Sequence, residues 1–212
     1  MKKCKSIDDY VDLAFNFFNF FPFKSWSIRP SQVKEEITEL VRFLAKRKPK
    51  FILEIGTAKG GTLFLFARVS SPEATIISID IPGGRFGGGY PKWKKILYRS
   101  FAIHRQKISL VRENSHAPTT LNLIKEILKQ EKLHFLFIDG DHTYDGVTKD
   151  FRMYGSLVGR GGIITFHDIV PGPPENVGGV PRFWNEIKYE FEHTEIVKNW
   201  KQSGCGIGVI YL

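Results

Sequence analysis

The stretch Phe51-Ile52-Leu53-Glu54-Ile55-Gly56-Thr57-Ala58-Lys59-Gly60-Gly61 constrains this chain more than any other. Phe51 to Ile55 is an apolar run interrupted only by Glu54, which suits a strand covered on both faces, as in parallel sheets. Glycines end it, and Thr62-Leu63-Phe64-Leu65-Phe66-Ala67 can continue as a helix. Strand, glycine turn and helix start together set backbone N–H groups and the positive end of a helix beside a ligand. The plainer alternative is a βα turn in which the glycines serve only their φ angles.

Elements alternate after this stretch. Strands are expected at Thr75 to Asp80, Lys107 to Arg112, Leu133 to Asp139 and Ile163 to His167. Helices are expected over Lys92 to His104, Pro118 to Gln130, a segment carrying Val147, Phe151, Tyr154 and Leu157, and Pro181 to Phe191. Two closing runs, His193 to Lys198 and Gly206 to Leu212, suit a hairpin with one antiparallel strand. The pattern predicts an α/β fold with a doubly wound, mostly parallel sheet. Upstream, Val33, Ile37, Leu40, Val41 and Leu44 have helical spacing, and an aromatic helix over 7–24 stops near Pro22. Residues 1–48 are therefore expected as a helical segment packing on a main domain at 49–212. Its aromatic rings are core, a substrate lid or a homo-oligomer contact.

A chain of 212 residues with 25% charged residues is an ordinary globular domain. No apolar run is long enough for a bilayer, so no membrane is expected. The basic start is followed by Asp8 and Asp9 and makes a poor signal peptide; with only Cys4 and Cys205, a reduced, cytoplasmic protein is the expectation. The net charge of +9 allows an anionic partner. Its densest run, Arg42 to Lys50, closes a helix and complements the helix dipole, and no aromatic-interleaved RNA motif accompanies it.

The expected strand ends carry Glu54, Asp80, Glu113-Asn114-Ser115, Asp139-Gly140-Asp141-His142 and His167-Asp168. Ligands of such sheets bind beyond those ends, so one shared site is expected. For the first loop, a triphosphate needs lysine where Thr62 stands, and the dinucleotide spacing is absent. What remains is Glu-x-Gly-x-x-x-Gly, with Asp80 ending the next strand.

That pattern resembles the first motif of the class I, Rossmann-like S-adenosylmethionine-dependent methyltransferases. Further motifs follow in the order of that family: Asn114-Ser115-His116, Phe137 to Tyr144, Gly161 to Asp168 and Gly179 to Trp184. They are similar to a bacterial branch of small-molecule O-methyltransferases that includes the macrolide-sugar enzymes and the cephalosporin hydroxylase-like proteins. The resemblance implies a seven-stranded sheet with its last strand antiparallel and an N-terminal helical cap. It implies S-adenosylmethionine bound by Glu54, Gly56, Thr57, Gly60, Asp80, Asn114, Ser115 and Asp139. Glu54 would balance the cofactor ammonium directly or through water, and Asp80 would accept the ribose hydroxyls.

The same resemblance implies a histidine base, His142, three residues after a metal-binding Asp139, and two acids at the end of the fifth strand. Here that pair is His167-Asp168, a departure at the first position. Asp139, Asp168 and His167 would suit Mg²⁺ or another divalent ion. The alternative for Asp139 and Asp141 is capping the next helix, and for His142 closing the turn. Two loops, Ile81 to Tyr90 with Arg85 and Tyr90, and Val170 to Gly179 with Glu175 and Asn176, are candidates to meet the acceptor. The expected function is O-methylation of a small-molecule hydroxylated acceptor, a sugar or another metabolite. Nucleic acid is not the expected partner, although an RNA methyltransferase, favoured by the charge, is one alternative; a hydroxylase-like oxygenase is another.

Overall fold

The computed structural model describes residues 6–17, 26–84, 86 and 88–212. Its centre is a seven-stranded sheet: β1 (Phe51–Ile55), β2 (Thr75–Ile79), β3 (Lys107–Val111), β4 (Leu133–Ile138), β5 (Val158–His167), β6 (Glu192–Ile196) and β7 (Ile207–Tyr211). The spatial order is β3-β2-β1-β4-β5-β7-β6. Every pair among β1 to β5 is parallel, while β7 runs antiparallel to both β5 and β6. Chain order runs outward from β1 to β3 and then jumps to β4, so the strand order reverses between β1 and β4. That reversal opens a crevice at their carboxyl ends.

Strand side chains alternate between two cores. Ile52, Ile76, Phe135 and Phe137 face one cluster with α1 (Ile7–Asn16), α2 (Lys34–Arg47), α3 (Gly61–Val69) and Tyr98 of α4 (Lys94–Arg99). Leu53, Ile77, Leu136 and Phe166 face the other, against α5 (Pro118–Leu128), α6 (Tyr144–Tyr154) and α8 (Val180–Ile187). Helix α3 is apolar around nearly its whole circumference because α1 and α2 pack over the side that would otherwise meet water. The N-terminal helices are thus continuous with the core of the sheet.

Several element boundaries differ from expectation. The helix expected over Lys92 to His104 shortens to α4; His104 then takes a φ of +54°, and Gln106 bonds the backbone of Ile103, Ala67 and Ser71 in place of helical hydrogen bonds. The loop from Val170 to Gly179 contains one short turn of helix, α7 (Pro174–Val177). Helix α1 begins with a capping box between Ser6 and Asp9 and ends at Asn16. The remainder of the expected aromatic helix, including Phe18, Phe20, Phe21 and Phe23, lies outside the described residues, as does Arg85.

Candidate active site

The loop after β1 is held from below. Glu54 is fully buried; its carboxylate accepts hydrogen bonds from Thr62 of α3 and from Ser78 Oγ of β2 at 2.6 Å. Burial raises its pKa to about 8, against the two hydroxyl donors. Glu54 therefore lies under the loop, so a direct contact with a ligand ammonium is not open to it. Thr57 is equally buried, with its hydroxyl against that of Ser78. Gly56 has a φ of +100°, and a Cβ there would lie 1.9 Å from the Asp139 carbonyl, so the β1 and β4 ends touch through it. Asp80 ties this loop to the next, accepting from Ala58 N at 2.6 Å and Gly89 N at 2.7 Å.

A cavity of about 370 Å³ opens at these strand ends, walled by Gly56, Ala58, Asp80, Phe86, Glu113 to His116 and Asp139 to Asp141. Among the described residues its wall holds four acids, Asp80, Glu113, Asp139 and Asp141, and no lysine or arginine. Asn114 and Ser115 line it, and Asn114 Oδ1 accepts from His116 N at 2.9 Å. Behind His116 stands Asp150, fully buried on α6, with Oδ1 3.2 Å from His116 Nε2. The pair is close enough for charge attraction although its angle is off-line for a hydrogen bond, and Asp150 raises the His116 pKa.

A denser cluster closes one end. Asp139 Oδ1 lies 3.3 Å from His142 Nε2 and 3.1 Å from His167 Nδ1, while Asp139 Oδ2 accepts from Gln32 Nε2 at 2.6 Å. Asp168 Oδ2 lies 3.2 Å from His142 Nδ1 and 3.3 Å from His167 Nδ1, and its Oδ1 accepts from Cys205 N at 2.9 Å. Burial disfavours charge on Asp139, His142 and His167, but attraction to their partners outweighs it. Asp139 is held well below the usual carboxylate range, His142 is raised to about 9 and His167 is raised as well. Donor atoms of Asp139, His142 and Asp168 lie within 4.8 Å of one another, a spacing that suits a divalent ion.

The structure thus gathers Gly56, Asp80, Asn114, Ser115 and Asp139 around one cavity and sets His142 and His167 between Asp139 and Asp168. Glu54, Thr57 and Gly60 support the loop; Gly60 caps α3 with a φ of +84° against the Tyr98 ring. Among the described residues Asp139 caps no helix. Thr143 is the N-cap of α6, and Asp141 accepts from Thr143 N. Of the two loops, Phe86 stacks on His142 with centroids 4.8 Å apart and the Asn176 carbonyl meets His142 Nδ1; Tyr90 turns inward and is buried. Sequence reasoning gives no sign of Gln32 or Asp150: neither belongs to a motif, and each meets its partner only in the fold.

Residues 53–169 match the family model described as methyltransferase domain, a span of more than half the chain. The chain belongs to the methyltransferase-domain family. A protein of Acanthamoeba polyphaga mimivirus is 31% identical over 116 residues, which are 55% of this chain and 50% of that protein. This methyltransferase-domain chain thus spans about half the length of the curated relative it matches. Its fold is shared with solved O-methyltransferases. The Bacillus cereus O-methyltransferase in complex with SAH is 18% identical with a TM-score of 0.61, covering 100% of this chain and 93% of that one. The Streptomyces achromogenes O-methyltransferase of tomaymycin synthesis, in complex with SAM, is 17% identical with a TM-score of 0.60, covering 99% and 91%. The TDP-rhamnose 3′-O-methyltransferase of calicheamicin biosynthesis is 15% identical with a TM-score of 0.61, covering 99% and 96%.

Proposed function

We propose that this chain is an S-adenosylmethionine-dependent O-methyltransferase acting on a hydroxyl of a small molecule, such as a sugar or another hydroxylated metabolite. The observation that carries the reading is the acid-walled cavity at the β1–β4 crevice, whose wall includes Asp139, itself 3.3 Å from His142. A sulfonium nucleoside is a cation without phosphate, and four acids with no facing lysine or arginine among the described wall residues suit it. The same wall argues against a polyphosphate or nucleic-acid track, for which cations are needed.

In the proposed reaction the acceptor oxygen attacks the sulfonium methyl carbon in line. The O–CH₃ bond forms as the S–CH₃ bond breaks, the bonding pair stays on sulfur, and the hydroxyl proton leaves to a base. The chain's share is alignment and proton removal. His142, between the two acids and under Phe86, is the residue assigned to take that proton. Because those acids hold it as a cation up to about pH 9, it must first release its own proton. Asp139 and Asp168, with His167 between them, would hold a divalent ion such as Mg²⁺. A bound ion supplies the charge that lowers the acceptor hydroxyl's pKa. Of residues 1–48, the described segment Arg29 to Gln32 is proposed as the cap over this end.

Calorimetry with S-adenosylmethionine and S-adenosylhomocysteine, with and without Mg²⁺, tests the reading. Binding of either followed by transfer of a labelled methyl group to a hydroxylated acceptor supports it, and failure to bind both overturns it. Oxygen consumption with a reductant, in place of methyl transfer, would select the oxygenase.

A further inference from the structure

A second, small cavity of about 30 Å³ lies between the segment Arg29 to Gln32 and the loop Gly56 to Gly61. It shares Gly56, Ala58 and Asp139 with the wall of the large cavity. That volume holds one water or one small polar group. Gln32, only 6% exposed, borders it and donates its Nε2 to Asp139 Oδ2 at 2.6 Å. The amide orientation follows from this contact, since the reverse would set two acceptors against each other. Gln32 Oε1 is therefore directed away from Asp139, and it is buried without a hydrogen-bond partner. A buried carbonyl in that state requires a donor.

The segment is anchored for such a role. Four residues on, Glu36 is buried and accepts from Lys198 N, Gln202 Nε2 and Gly206 N, fastening α2 to the β6–β7 connection. The neighbouring Cys205 N in turn bonds Asp168. Gln32 and Glu36 thus tie the N-terminal segment to both acids of the cluster.

We propose that Gln32 is a ligand-contacting residue of this site: its Oε1 accepts a hydrogen bond from the ammonium group of the cofactor's amino-acid end, while its Nε2 fixes Asp139. The inference rests on the S-adenosylmethionine reading above. It gives the ammonium a neutral acceptor on the border of the small cavity, whereas the Glu54 carboxylate is sealed beneath the loop.

Two ligands separate this role from a structural one. S-adenosylhomocysteine carries the ammonium; 5′-methylthioadenosine keeps the nucleoside and sulfur but lacks the amino-acid end. Calorimetry on wild type and Gln32→Leu should show S-adenosylhomocysteine weakened roughly 10- to 100-fold and methylthioadenosine changed less than about twofold. If Gln32→Leu fails to fold, Gln32→Met is read in the same way. Equal weakening of both ligands, or of neither, overturns the inference and leaves a water as the occupant of the small cavity. Failure of wild type to bind either ligand overturns the cofactor reading, and this inference with it.

Discussion

Nδ1 of His167 lies 3.1 Å from Oδ1 of Asp139, so a histidine occupies a position from which it neutralises the acid ending β4. Burial lowers the His167 pKa, but the charges of Asp139 and Asp168 outweigh it and keep the ring cationic. His167→Asp exchanges that positive group for a third carboxylate, which favours a hard divalent ion. Titration calorimetry should show Mg²⁺ binding at least about tenfold tighter in the variant. Unchanged or weaker binding would remove Asp139 and Asp168 from the metal assignment.

His142→Ala should cut methyl transfer by roughly 10²- to 10⁴-fold while S-adenosylhomocysteine binding persists. In wild type without added metal, kcat/KM should rise with pH toward about 9, where the imidazolium gives up its proton. The variant should lack this limb. With Mg²⁺ present the limb should move to lower pH, because a cation on Asp139 weakens its hold on the His142 proton. A profile identical in wild type and variant would exclude His142 as the base.

Glu54 has a folded-state pKa of about 8 against 4.5 in the unfolded chain. Between these values the folded state holds one proton more than the unfolded state. Stability from this residue is therefore fullest below about pH 4.5, falls as pH rises to about 8 and is flat beyond, at about 1.4 kcal/mol per pH unit at the steepest. Glu54→Gln should remove that slope and gain on wild type at pH 8–9. Urea melts across this range would expose a parallel pair of curves if the assignment is wrong.

Gly56→Ala should cost more than about 2 kcal/mol, because the position needs a φ of +100° and a Cβ would meet the Asp139 carbonyl. Denaturant unfolding gives the number. A neutral substitution would mean that the β1 and β4 ends are not in contact.

His116→Ala should destabilise by about 3–5 kcal/mol, since it leaves the fully buried Asp150 carboxylate without its partner. Asp150→Asn should cost less, because His116 can then shed its charge. NMR titration of His116 in Asp150→Asn should show a lower pKa than in wild type. Equal costs and an unmoved pKa would dissolve the pair.

Sequence periodicity was enough for the sheet. Runs such as Phe51 to Ile55 and Leu133 to Ile138 are apolar because both faces are covered, and that property belongs to the residues themselves. The strand-end acids were visible for the same reason, since a parallel sheet brings its carboxyl ends to one edge whatever the loops do. Local readings failed where partners are remote. Glu54 reads as a strand-end ligand residue, yet alternation along β1 turns it toward α3 and seals it against Thr62 and Ser78. Gln32 and Asp139 are 107 positions apart and meet only because α1 and α2 fold back over α3. His167 stands where the resemblance to the macrolide-sugar enzymes implied an acid, and no one-dimensional reading says whether it binds, bonds or balances charge. Its pairing with Asp139 and Asp168 becomes visible only in the fold, because electrostatic attraction depends on separation in space and on burial, neither of which the order of residues records.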